Sequence, residues 1–158
     1  MIRDIYFDRI FGPGWPPIDR LETYFRSPPE GRGWFQLSGN DSASIRLQGV
    51  DNTDQLAEGK GRIDINLLLW GYPDLGVLLI YEKVGGGQTE SYCSKGDLSR
   101  LREWVRSTHD TPLPVGLFVP FPVAWKAVKQ FMETEGQLPT SIEWVKGSEL
   151  PPGTFPDP

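Results

Sequence analysis

Two apolar segments joined by a short turn sequence constrain the fold of this chain more than any other feature. In residues 63–70 apolar side chains occupy every second position, and residues 77–84 are apolar along most of their length. Both patterns are typical of β-strands, and the glycines and proline of residues 71–76 favour a turn between them. Because strands this apolar are usually buried on both faces, we expect the hairpin to be central in a sheet.

A third strand and further strands on either side extend this hairpin. A run of three glycines leads into residues 89–94, so three consecutive strands are predicted to form an antiparallel meander. Residues 34–37, a short run with three apolar side chains, are predicted to be a strand as well. So are residues 43–48, in which apolar and polar side chains alternate. A final strand is expected around residues 142–144.

Three segments have the residue spacing of amphipathic helices. They are residues 17–26, residues 97–107 and a segment that begins at Pro120 or Pro122 and ends near Gly136. Residues 111–116, between the second and third of these, are predicted to be a loop.

These elements predict an α+β domain, in which a largely antiparallel meander sheet carries two to three helices packed on a face. Its core is predicted to include Leu67, Leu69, Leu79, Val128, Phe131 and Trp144. The 158 residues suit one domain over residues 1–150, followed by a proline-rich tail over residues 151–158 that runs along the surface.

The charge balance excludes most nucleic-acid-binding proteins. With 16 basic and 21 acidic residues the net charge is −5, which is the wrong sign for a protein that binds phosphates directly. The single cysteine and the absence of an apolar signal-like start indicate a cytoplasmic protein. No apolar run is long enough to cross a membrane, so no membrane partner is expected.

The sequence shows no recognisable catalytic, metal or cofactor site. His109 is the only histidine, and its place before a proline-containing loop predicts exposure. Cys93 alternates with Tyr92 in a predicted strand, where an inert thiol is expected rather than a nucleophile. Residues 51–61 contain a glycine pair around Lys60, but a strand follows where a phosphate-binding loop needs a helix. No catalytic residue, metal or cofactor is therefore predicted, although a carboxylate pair could be hidden among 21 acids.

Aromatic residues beside acids are the most distinctive surface chemistry in the sequence. Exposed tryptophan and tyrosine flanked by carboxylates are typical of protein interfaces, although most aromatic residues in strands belong to a core. One turn and the two strands near it hold a candidate partner-binding set: Trp70, Tyr72, Asp74, Glu82, Glu90 and Tyr92.

The second half of the chain resembles the immunity protein 1 family of bacterial polymorphic toxin systems. The resemblance spans residues 76–147 and includes the apolar strand at residues 77–82 and the strand and turn at residues 91–96. It continues through the amphipathic helix within residues 119–136. It ends with Leu138-Pro139 and the Ile142-Glu143-Trp144 strand.

This resemblance implies an α+β antitoxin that binds and blocks a cognate toxin, commonly a nucleic-acid deaminase, in a one-to-one complex. The acidic balance suits such a partner, because a toxin that handles nucleic acid needs a basic surface. A cytosolic adaptor domain without a toxin partner is the alternative from another class, and a small carboxylate enzyme is a third.

Overall fold

A computed structural model describes residues 1–7, 10–25 and 42–157 of the chain. The strand predicted at residues 34–37 lies outside these described residues. Within them, no helix combines the length and the apolar character that crossing a bilayer requires.

The described residues form ten strands, two α-helices and four short 3₁₀ turns. The strands are β1 (Ile2–Phe7), β2 (Ile10–Pro13), β3 (Ser42–Val50), β4 (Ile63–Tyr72), β5 (Gly76–Gly85), β6 (Gln88–Ser94), β7 (Trp104–Arg106), β8 (Pro112–Pro114), β9 (Phe118–Val119) and β10 (Trp144–Lys146). The α-helices are α1 (Ile18–Glu22) and α2 (Phe121–Glu133). Short 3₁₀ turns are Thr23–Phe25, Leu98–Arg100, Val115–Leu117 and Gly147–Glu149.

Eight of these strands form one sheet around the predicted hairpin. The order is β10-β6-β5-β4-β3-β1-β2, and β9 pairs with the start of β5 in line with β6. Every pair is antiparallel, and β4 and β5 align over nine positions, from Asp64 opposite Val84 to Tyr72 opposite Gly76. The predicted α+β class, the meander and the central position of the hairpin are confirmed.

One face of the sheet, which we call the helix face, packs against α1 and α2. Five of the six predicted core residues are fully buried there: Leu67, Leu69, Leu79, Val128 and Phe131. The sixth, Trp144, is half-buried at the margin of this core and donates its indole N–H to the Pro139 carbonyl oxygen at 2.7 Å.

The end of α2 is fixed against the middle of the sheet by one buried hydrogen bond. The Tyr81 hydroxyl donates to the Gly136 carbonyl oxygen at 2.7 Å. Gly136 has a φ of 94°, in the region that favours glycine, and its amide donates to the Phe131 carbonyl oxygen to close the helix. The predicted stop at this glycine is confirmed.

The opposite face is covered at one end by residues 97–118, which we call the cover segment. It packs on a second core of buried residues: Leu78, Cys93, Leu113, Leu117 and Phe118. Gly96 and Gly116 permit the close approach, since the Gly96 amide donates to the Gly116 carbonyl oxygen at 3.0 Å. A Cβ atom at Gly116 would lie 2.5 Å from the Asp97 carbonyl oxygen.

The helix predicted at residues 97–107 is wrong. Asp97 does accept a hydrogen bond from the Ser99 amide, but it caps only the 3₁₀ turn. The chain then forms β7, which pairs with β8 inside the stretch predicted as a loop. In this hairpin Val105 from β7 and Leu113 from β8 both reach the second core. A helix over residues 97–107 would leave β8 without a strand to pair with.

Two short elements near the N-terminus have no counterpart in the sequence prediction. β1 and β2 form a hairpin, and β1 pairs with β3 from Ile2 opposite Gln48 to Tyr6 opposite Ser44. Ile5 and Phe7 point into the helix-face core, where their burial stabilises the added strands.

We expect Phe131→Ala to lower the free energy of unfolding by about 3 to 5 kcal/mol, because the ring is fully buried and its removal leaves a cavity. Phe155→Ala is the matched control, since that ring is 43% exposed and its loss should cost about 0.5 kcal/mol or less. Chemical denaturation measures both variants. A loss below about 1 kcal/mol for Phe131→Ala would contradict the packing of α2 described above.

Candidate functional site

The six predicted partner-binding residues are divided between the two faces of the sheet. Residues opposite one another on antiparallel strands share a face, so strand register decides where each side chain lies. Trp70, Tyr72 and Glu82 are on the covered face, with Trp70 opposite Leu78 and Glu82 opposite Ser91. The other three do not join them there.

Glu90 and Tyr92 belong to the helix face, and Asp74 lies in the turn between β4 and β5. Tyr92 is half-buried opposite Tyr81, and the two ring centroids are 6.3 Å apart. Asp74 is exposed. Strand register therefore distributes the six residues over both faces of the sheet and one turn.

Trp70 and Tyr72 contribute to folding. Both are half-buried against the second core, and the Tyr72 ring centroid lies 6.4 Å from that of Phe118 in an edge-on arrangement. Aromatic side chains packed in this way stabilise the cover segment on the sheet. Truncating either ring would weaken this packing.

A groove of about 690 Å³ unites three of the six residues: Glu82, Glu90 and Tyr92. Its floor is formed by β5 and β6. Strand β10 pairs with β6 only from Tyr92 to Ser94, so residues 88–91 have no strand beside them on that side in the described part of the chain. The lining includes residues from both faces of the sheet, so the groove extends around this edge of β6.

The other wall of the groove is the C-terminal segment from Lys146 to Phe155. The Thr154 hydroxyl donates to the Pro151 carbonyl oxygen at 2.6 Å, and the Trp104 indole N–H donates to the Thr154 carbonyl oxygen at 2.9 Å. Thr154 is only 5% exposed. The cover segment thus holds the tail in place. The proline-rich sequence of the tail does not by itself predict this contact.

The groove is acidic and also has apolar walls. Glu82 and Glu90 provide two carboxylates against the single cation Lys146, and Ile80, Leu150 and Phe155 provide apolar surface. Among the described residues, no ion pair or side-chain hydrogen bond involves Glu82, Glu90 or Lys146. Such a surface suits a cationic partner whose side chains have apolar stems.

The remaining reactive residues are poorly placed for chemistry. Cys93 is 2% exposed, and burial first, then the Glu82 carboxylate, raises the pKa of its thiol to about 11. A thiol that stays protonated near neutral pH is a poor nucleophile. His109 is exposed in the β7–β8 turn. In the described ranges, no three acidic, histidine or cysteine side chains are grouped closely enough to hold a metal ion.

Comparison with known proteins finds one family. The family model of immunity protein Imm1 matches residues 73–146, nearly half of the chain. The match begins in the turn before β5 and ends with β10, so it contains the floor of the groove and the cover segment. The resemblance predicted over residues 76–147 is confirmed. No curated protein matches the chain, and no solved structure matches it.

The buried thiol and phenol should make the fold sensitive to alkali. Burial is the main cause that raises the pKa of Cys93 from 9.0 to about 11 and that of Tyr81 from 10.0 to about 12. Above about pH 9 the unfolded chain therefore binds fewer protons than the folded chain, and stability falls as pH rises through about 9 to 12. Urea denaturation at several pH values from about 7 to 10.5 measures this decline.

Cys93→Ala should lose less stability than the wild-type protein between about pH 9 and pH 10.5. Val145→Ala is the matched control, because Val145 lies opposite Cys93 on β10 and has no proton to lose. Its stability should be lower at every pH, but should decline in parallel with the wild type. Equal declines in Cys93→Ala and in wild type would contradict the raised pKa of the thiol.

Proposed function

We propose that this chain, whose residues 73–146 match the model of the Imm1 family of immunity proteins, binds a cognate bacterial polymorphic toxin and blocks it. The family match carries this proposal. The complex is one-to-one, forms in the cytoplasm and inhibits the toxin by covering its active site. Residues 1–150 act as a single binding domain, and residues 151–158 form its tail.

The charge of the chain favours a toxin that acts on nucleic acid. Such a toxin, for example a DNA or cytidine deaminase, needs a basic surface to bind its substrate. The net charge of −5 and the acidic groove would attract that same surface. An inhibitor that covers a basic site would compete directly with nucleic acid for it.

Inhibition of this kind needs no chemistry from the immunity protein. Cys93 is buried with a raised thiol pKa, and His109 is exposed in the β7–β8 turn. We infer that the chain is a stoichiometric inhibitor and not an enzyme, and that its function depends on surface complementarity.

Co-expression with the product of the neighbouring gene, which the proposal predicts to carry a toxin domain, tests the proposal. We expect the chain to restore growth of cells that produce the toxin, and the two proteins to purify as a one-to-one complex. The interface should cover roughly 1,200 to 2,000 Å² in total, and association should be faster at low salt. Growth arrest despite abundant folded protein, or the lack of a neighbouring toxin gene, would favour the adaptor alternative.

Protection should survive the loss of either reactive side chain. We expect His109→Ala and Cys93→Ala to restore growth as well as wild type does, because neither side chain supplies chemistry to the inhibited complex. Protein abundance and melting temperature in the same cells and preparations provide the control. Loss of protection in either variant, with the protein still folded and abundant, would contradict a role by binding alone.

A further inference from the structure

We propose that the groove between β6 and the C-terminal segment binds a basic extended segment of the toxin, which crosses the edge of β6 and meets Glu82 on one face of the sheet and Glu90 on the other. This inference rests on the proposed immunity function and specifies the surface that carries it out. It also assigns the segment from Lys146 to Phe155 to the interface.

The two carboxylates have no ion pair or side-chain hydrogen bond among the described residues. Glu90 lies directly opposite Lys83, but the Lys83 ammonium pairs with the Asp51 carboxylate at 3.0 Å. Glu82 lies opposite Asn66 on one side and Ser91 on the other, and neither neighbour is a cation. Both carboxylates therefore keep their capacity to bind an external cation.

Strand register places these carboxylates on either side of one strand edge. Glu82 is opposite Ser91, the residue that follows Glu90, and the two acids emerge on opposite faces of the sheet. Both nevertheless line the same groove, because it passes around the edge of β6 where β10 no longer pairs. A segment that crosses this edge would have a carboxylate on each side of it.

The apolar walls fit the rest of an arginine or lysine side chain. Long cationic side chains pack their methylene groups on apolar surface while the charged end meets an acid. Ile80 and Leu150 provide such surface within the groove, and Phe155 adds a ring that is 43% exposed. An exposed aromatic ring beside two acids is also suited to contact with a cation.

The wall is ordered before any partner arrives, so little entropy is lost when the groove is filled. Thr154 is buried, and the hydrogen bond from Trp104 fixes its backbone to the cover segment. The lining contains one cation, Lys146, and two carboxylates, Glu82 and Glu90, so its net charge is negative. Charge and shape therefore both favour a basic occupant.

The test compares two double variants that remove the same charge from different elements of the fold. Glu82→Gln/Glu90→Gln neutralises the groove, and Glu22→Gln/Glu133→Gln neutralises two exposed acids on α1 and α2. Binding of the purified product of the neighbouring gene is measured for each by surface plasmon resonance at several salt concentrations. Melting temperatures confirm that each variant is folded.

We expect the groove variant to bind at least about tenfold more weakly than wild type, with a shallower dependence on salt, and the helix variant to bind within about twofold. Phe155→Ala should raise the dissociation rate by about tenfold while leaving the association rate within about twofold. If the groove double variant unfolds, the single variant at the exposed Glu90, Glu90→Gln, replaces it and should bind at least about threefold more weakly.

The outcomes separate this inference from the proposed function. No binding and no protection by the wild-type chain would overturn the proposed function itself. Wild-type binding that is weakened equally by both double variants would show only a general charge effect and would overturn the groove. Groove variants that bind as wild type does would place the interface elsewhere and would overturn it too.

Discussion

The pairing of β4 with β5 is the interaction on which the rest of the structure depends. Nine aligned positions hold these strands together, and apolar side chains cover both faces of the start of β5. Leu79 contributes to the core under α2, while Leu78 contributes to the core under the cover segment. One hairpin therefore supports two cores on opposite sides of a single sheet, and each layer added to it buries further apolar surface.

Sequence predicts this architecture where one periodicity dominates. The alternation in β3 and β4 and the apolar stripe of α2 each identify correctly the face that packs in the helix-face core. The same reasoning gives the wrong structure for the cover segment. Leu101 and Val105 are four residues apart, which suits a helix, yet β7 is stabilised by pairing with β8, a partner chosen by tertiary contact.

The candidate site shows the same division. Sequence chemistry selects Glu82, Glu90, Tyr92 and Trp70 alike, because exposed aromatic residues beside acids are typical of interfaces. Strand register separates them, since Trp70 is half-buried against the second core while the other three line the groove. Sequence predicts a proline-rich tail on the surface but not its position, which depends on a hydrogen bond from a residue fifty positions earlier.

That bond from Trp104 to Thr154 also makes the groove observable in solution. An indole proton held by a carbonyl exchanges with water more slowly than a free one, and it gives its own signal in a proton–nitrogen NMR spectrum. Because the Trp104 side chain is 40% exposed, its protection depends on the tail and not on deep burial. The exchange rate of this single proton therefore reports how often the wall of the groove opens.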